Sequence, residues 1–181
     1  MTSCLEPLGL SAPIIQAPMA GVQNQRLAAA VCNAGGLGSL PAAMLSASDL
    51  EAQLSALRQA TDKPFNVNFF CHTVPTPDAQ REAAWRAHLL PFYQALHLDA
   101  QHIPGGPRRV PFNHETAEVL EAFRPAVVSF HFGLPAADLV QRVKSWGSAV
   151  LSSATTVDEA LWLQAHGADA VIAQGLEAGG Q

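Results

Sequence analysis

The residues able to do chemistry in this chain fall at the ends of apolar strands. The run GADAVIAQGLEAGG, Gly167 to Gly180, sets an apolar strand, Ala170 to Ala173, before Gln174 and the pair Gly179-Gly180. Adjacent glycines let backbone N–H groups approach a phosphate closely, and a helix beginning beyond them would turn its positive end toward the same anion. A Gly-Gly pair by itself is equally an ordinary turn. Asn68 stands near the end of the strand FNVNFF, and Gln174 at the end of its own strand. Primary amides donate and accept hydrogen bonds, which suits the edge of a ring such as a flavin's pyrimidine, although a lone amide more often serves neighbouring backbone groups.

His131 lies in VVSFHFG, where alternation sets Ser129, His131 and Gly133 opposite Phe130 and Phe132. An imidazole there either completes a hydrogen-bonded core or faces a ligand, and the pattern supports both readings evenly. His72 follows Cys71 just past Phe70 and could face the same mouth, but Cys-His adjacency makes neither a metal site nor a nucleophile pair. His88, His97, His102, His114 and His166 are scattered over helices and loops and read as surface residues. No metal site is expected.

The elements that must position these groups alternate regularly. Ile14-Ile15 starts a strand that runs into the turn Ala17-Pro18-Met19-Ala20-Gly21. Arg26 to Asn33 has helical composition and is closed by Gly35-Gly36. Leu37 to Leu40 reads as a strand, and Ser48-Asp49-Leu50-Glu51 as a capping box opening a helix with Leu50, Leu54 and Leu57 on one face. Phe65 to Phe70 is the third strand, with Asn66 and Asn68 on one side. Thr76 to Leu98 is helical in composition, with Pro91 kinking it or starting a second helix. Gln101 to Asn113 reads as a loop, followed by a helix over Glu115 to Phe123 and a strand over Val127 to Phe132. Pro135 sits where a helix running to about Trp146 could start. Ala149 to Ser152 is the fifth strand, and Thr156-Val157-Asp158-Glu159 is a second capping box whose helix Gly167 ends before the sixth strand.

The composition fits such a fold. Of 181 residues, 49% are apolar and 14% charged, with a net charge of −5. This excludes a disordered chain, and no basic patch offers a footprint for nucleic acid. No apolar run reaches the ~18 residues of a membrane span, so no membrane association is expected. Cys4, Cys32 and Cys71 are odd in number and widely spaced, as in a reduced, cytoplasmic protein. Short alternating strand and helix units imply α/β architecture with parallel strands and right-handed crossovers. A doubly wound sheet would place a Gly-rich phosphate turn after its first strand, whereas here that turn comes late, as in a TIM-type (β/α)8 barrel. The expectation is one domain over residues 1–181, a barrel truncated after about six βα units.

PIIQAPMAG (Pro13 to Gly21), LAAAVCNAGGLGSL (Leu27 to Leu40), FNVNFFCH (Phe65 to His72), VVSFHFGLP (Val127 to Pro135), LSSATTVDEA (Leu151 to Ala160) and GADAVIAQGLEAGG together resemble the bacterial-type nitronate monooxygenases, formerly 2-nitropropane dioxygenases. The motifs span the chain in the family's order. The related flavin-dependent enoyl-acyl-carrier-protein reductases share the opening motif and the barrel, but FHFGLP favours the monooxygenases. The resemblance implies an FMN-dependent barrel oxidising alkyl nitronates, such as the metabolic poison propionate 3-nitronate, with dioxygen to carbonyl compounds and nitrite. The resemblance thus implies a detoxifying oxidoreductase with two small-molecule partners.

The resemblance also implies that Ala17, Pro18, Met19 and Ala20 lie along the flavin ring, that Asn68 and Gln174 bond it, and that Gly179 and Gly180 help hold its phosphate. His131 would look toward the substrate. The family usually continues AGGH, and Gln181 stands at that histidine's position. The family's seventh and eighth strands have no counterpart, which implies two open sheet edges, weak FMN retention and a tendency to aggregate. The alternatives are a related FMN-barrel enoyl reductase, and a non-catalytic fragment or half of a split enzyme whose partner chain supplies the missing strands.

Overall fold

The structure, a computed structural model, describes residues 6–100 and 109–178. Cys4, His102, Gly179, Gly180 and Gln181 lie outside the described residues. The chain divides into two compact units, one of Met1–His72 with Arg109–Gln181 and one of Thr73–Arg108.

The larger unit is built on a five-stranded sheet in the order β1 (Gly38–Pro41), β2 (Phe65–Phe70), β3 (Val127–His131), β4 (Ala149–Ala154), β5 (Ala170–Ala173). Every pairing is parallel, and sequential strands are always neighbours. The strand expected at Ile14-Ile15 is a single parallel bridge, Ile15 to Leu37, on the free side of β1. Pro13 has no N–H to give, and Pro18 follows closely, so only Gln16 N–H to Leu37 O (2.9 Å) and Leu37 N–H to Ile14 O (2.9 Å) form.

The helices of this unit are α1 (Gln25–Asn33), α2 (Ala47–Ala60), α4 (His114–Phe123), α5 (Ala137–Ser145) and α6 (Val157–Ala165). Helix α3 (Ala79–Ala95) belongs to the smaller unit. Strand alternation sorts the core. Leu40, Phe65, Val67, Phe69, Val128, Phe130 and Val150 pack with Cys32 of α1, Leu50, Leu54 and Leu57 of α2, Leu120 of α4 and Val143 of α5 in one apolar cluster. The opposite face carries Leu37, Val127 and Leu151 at its base, packed with Leu8, Leu10 and Ile15. Above them that face turns polar. Helices on one face of a sequentially ordered parallel sheet describe the wall of a barrel, since a doubly wound sheet is covered on both faces.

Local signals explain the helix ends. Gly35, at φ +94°, and Gly36 donate to Cys32 O (3.0 Å) and Val31 O (3.1 Å), closing α1 as a Schellman motif. Helix α2 is capped by Ser46, whose Oγ accepts from Asp49 N (3.1 Å). Its start therefore lies ahead of the Ser48 box, because Ser46 is the serine with extended backbone. Helix α4 has a capping box of Asn113 and Thr116, and α6 the expected one of Thr156 and Glu159. Helix α5 begins two residues after Pro135, without a side-chain cap.

In the smaller unit, α3 (Ala79–Ala95) is one helix that continues past Pro91. Asp78 caps it by accepting from Gln80 N and Arg81 N, both at 3.0 Å. Continuity through Pro91 leaves the Ala87 carbonyl without its usual donor. Among the described residues, no helix is long and apolar enough to cross a membrane.

Candidate functional site

The polar part of the helix-free face is a ladder of short side chains. Parallel register sets Ser39 beside Asn66 and Asn68 beside Ser129. Asn66 Nδ2 donates to Ser39 Oγ (3.0 Å) and Ser129 Oγ (2.9 Å). Asn68 Nδ2 donates to Ser129 Oγ (2.9 Å) and to the Ser129 carbonyl (3.2 Å). Asn66 and Asn68 are only 2% and 3% exposed, and Asn66 Oδ1 is buried with no partner. A buried acceptor without a partner costs free energy on the order of 1–3 kcal/mol, so this stretch of sheet holds unspent hydrogen-bonding capacity.

Further toward the strand ends stands His131. Its Nδ1 lies 2.7 Å from Ser153 Oγ on β4. The imidazole is half-buried, and burial pushes its pKa below the usual histidine value, which favours the neutral ring. It belongs to an aromatic group, with ring centroids 6.1 Å from Phe70 and 6.4 Å from Phe132, while His72 lies 6.3 Å from Phe70 and 6.4 Å from Phe132.

Phe132 holds a left-handed backbone, φ +66°, with its side chain 51% exposed. For a non-glycine residue that conformation costs on the order of 1–3 kcal/mol. The serines of β4 hold this exit from both sides. Ser152 Oγ donates to Gly133 O (2.8 Å) and Phe130 O (3.3 Å) from the helix-covered side, and Ser153 meets His131 from the other. The strand expected to run to Phe132 therefore ends at His131, where the backbone turns left-handed.

A cleft of about 490 Å³ opens beside this exit, lined by Phe132, Gly133, Ser153, Thr155, Trp162 and Gln174 among others. Gln174 N–H donates to Ala154 O (2.9 Å), continuing the β4–β5 ladder one step, so its side chain comes from the sheet's end as the sequence suggests. Glu159 closes the cleft at the start of α6. Its Oε2 accepts from Thr155 N (2.6 Å), Thr155 Oγ1 (2.8 Å) and Thr156 N (3.2 Å), bonds that hold its carboxyl below the usual glutamate range.

The segment Ala17 to Ala20 leads into a turn in which Val22 N–H donates to Met19 O (3.3 Å), with Gly21 at φ +84° supplying the conformation the turn requires. Ala17, Met19 and Ala20 are exposed and Pro18 is half-buried. Two glutamines pin this turn to β1. Gln16 Oε1 accepts from Ser39 N (3.2 Å), Gln23 Nε2 donates to Ser39 O (3.0 Å), and Gln16 Nε2 donates to Gln23 Oε1. Ser39 thus ties the turn to the asparagine ladder.

Of the residues singled out in the sequence, Asn68 and His131 share the helix-free face, and Gln174 shares the cleft with Ser153, the partner of His131. Gly179, Gly180 and Gln181 fall outside the described residues. His88, His97, His114 and His166 are exposed, whereas His72 joins the aromatic group. Ser39, Asn66 as a hydrogen-bonding group, Ser153, and the pair Gln16 and Gln23 are not marked by the sequence alone. The serines and glutamines act across strands, and only the register reveals that. For Asn66, its placement on the Asn68 side was the available signal.

The family model described as nitronate monooxygenase matches residues 3–181. Among curated relatives, the nitronate monooxygenase of Paraburkholderia phytofirmans is 44% identical over 178 residues, which is 96% of this chain and 48% of that protein. That of Pseudomonas aeruginosa is 45% identical over 177 residues, 96% of this chain and 50% of the relative. The chain therefore spans about half the length of the curated relatives it matches. Among solved structures, a nitroalkane oxidase from Streptomyces ansochromogenes superposes with a TM-score of 0.84 at 40% identity, covering 98% of this chain and 50% of that one. FabK from Thermotoga maritima superposes at 0.69 with 28% identity, covering 99% of this chain and 46% of that one. A family match along nearly its whole length, on a sheet ordered as a barrel wall, places this chain in the nitronate monooxygenase family.

Proposed function

We propose that this chain carries the first part of the flavin and substrate site of an enzyme that oxidises alkyl nitronates, such as propionate 3-nitronate, with dioxygen to carbonyl compounds and nitrite. The observation that carries the proposal is the family match together with the polar groups at the sheet's carboxyl ends, where barrel enzymes keep their chemistry. The residues present fit an FMN. The buried Asn66–Asn68–Ser129 ladder ends in an amide that can serve a ring edge, and Gln174 stands at the mouth. Asn68, Gln174 and the turn Ala17 to Ala20 would hold the ring, and Gly179 and Gly180 its phosphate. When bound, FMN supplies the electron acceptor for the oxidation.

The chain's own side chains then bind and orient. A nitronate has already lost its carbon proton, so no strong base is needed at the site. His131, kept neutral by burial, can donate or accept one hydrogen bond to the substrate while Ser153 holds Nδ1. Phe132 and Phe70, in edge-to-face contact, give the site an apolar wall. Gln181 stands where the family usually has a histidine and cannot take up a proton near neutral pH, so turnover of a neutral nitroalkane, which needs carbon deprotonation, should suffer more than turnover of a preformed nitronate.

The test is nitrite release by the FMN-supplemented chain from propionate 3-nitronate and, in parallel, from neutral 2-nitropropane. The expected result is release from the nitronate, slowed at least tenfold by His131→Phe, with little from the neutral compound. Oxidation of NAD(P)H without nitrite release would overturn the reading in favour of a reductase.

A further inference from the structure

The orientation of the Asn68 amide is decided by what surrounds it. One terminal atom lies 3.2 Å from the Ser129 carbonyl and 2.9 Å from the Ser129 hydroxyl. A carbonyl oxygen only accepts, so the atom facing it must be Nδ2, and the opposite assignment would set two oxygens against each other. Asn66 Nδ2 likewise donates to hydroxyls, those of Ser39 and Ser129. Among the described residues, no hydrogen bond reaches Asn68 Oδ1, although the residue is 3% exposed. The amide therefore has both its donors directed at Ser129 and offers one acceptor.

We infer that Ser129 is a positioning residue that locks Asn68 with its carbonyl oxygen as the only group offered to a bound ring, so that this position selects a ring N–H donor. The inference rests on the reading of Asn68 as a flavin contact. On a flavin the matching group is the imide N–H between the two pyrimidine carbonyls, the one donor on that edge. Ser129 is 1% exposed and takes hydrogen bonds from both Asn66 and Asn68, so it has no free valence of its own to offer the ligand beyond its hydroxyl proton. Ser39 and Asn66 brace Ser129 from the β1 side.

The test is FMN binding to the 181-residue chain by flavin fluorescence quenching, repeated with the analogue methylated at the imide nitrogen. The expected result is that the unsubstituted chain prefers FMN to the methylated analogue by about tenfold, the worth of one hydrogen bond. Ser129→Ala should weaken FMN roughly three- to tenfold and reduce that preference. Asn68→Ala should abolish the preference, and adding Ser129→Ala to it should cost nothing further, because Ser129 acts through Asn68.

If Ser129→Ala leaves the preference intact, or weakens FMN equally with and without Asn68, the positioning role is overturned while the flavin contact stands. If Asn68→Ala binds FMN and the analogue as the unsubstituted chain does, or the unsubstituted chain does not bind FMN, the underlying reading of Asn68 falls and this inference with it. Should Ser129→Ala fail to fold, the side-chain amide protons of Asn68 in the unsubstituted chain decide by NMR. Slow exchange of both protons is expected, and rapid exchange of either overturns the inference.

Discussion

His131 and Ser153 meet across neighbouring strands, with imidazole Nδ1 2.7 Å from the serine hydroxyl. Register makes this possible, because Ser129 pairs with Leu151 and two residues further on each strand the side chains return to the same face. Ser153→Ala should lower stability by about 1 kcal/mol, the usual worth of such a bond. For a chain of this length that is a fall in Tm of about 2–4 °C. A thermal melt checks it, and an unchanged Tm would mean that the pair contributes nothing.

The same histidine gives the protein a pH dependence whose sign follows from its burial. The unfolded chain protonates His131 near pH 6.5, and the folded chain only at lower pH. Between those values the unfolded state binds the extra proton. The stability contribution is thus complete above about pH 6.5 and declines as the pH falls below it toward the folded value. His131→Gln keeps a partner for Ser153 without titrating, and its stability should fall less between about pH 7.5 and 5.5. Urea melts at the two pH values measure the slopes, and equal slopes would contradict the assignment.

Cys71 behaves in the opposite sense at alkaline pH. Burial pushes its thiol up to about 12 from an ordinary 9.0. The unfolded chain loses that proton first, so stability is complete below about pH 9 and is lost as the pH rises toward 12. At pH 8 the folded thiol should react with a thiol reagent at least tenfold more slowly than in urea, since only the thiolate attacks. Equal rates folded and unfolded would show that the group is neither buried nor shifted.

Gly38 marks where α1 presses closest on the sheet. A Cβ there would lie 2.0 Å from the Ala28 carbonyl oxygen and 2.8 Å from Cys32 Sγ. Gly38→Ala should therefore cost about 3 kcal/mol or more, because backbone must move. Gly21→Ala meets nothing within 4 Å and loses only its φ of +84°, so about 1–2 kcal/mol is expected. Denaturant unfolding of the two variants ranks them, and the reverse order would refute the close approach.

What was legible in the sequence was what neighbours in the chain decide. FNVNFF declared β2 residue for residue, and Leu50, Leu54 and Leu57 declared the buried face of α2. The alternation also set Asn66 with Asn68, and Ser129 with His131, on common sides. Errors arose where two local signals competed. Ser46 and Ser48 both suit a cap, and only the extended backbone at Ser46 decides. Ile14-Ile15 has strand composition, yet prolines on either side limit it to one bridge. Pairings between Asn68 and Ser129, or His131 and Ser153, join residues 61 and 22 positions apart, and register is invisible along the chain.

On the proposed reading, this face holds the ring of a flavin. Titrating FMN into the purified 181-residue chain, followed by flavin fluorescence and by the visible spectrum before and after desalting, tests it most directly. The expected result is saturable quenching that Asn68→Ala weakens by about tenfold or more. Quenching that never saturates, or that is the same with and without the Asn68 amide, would contradict it.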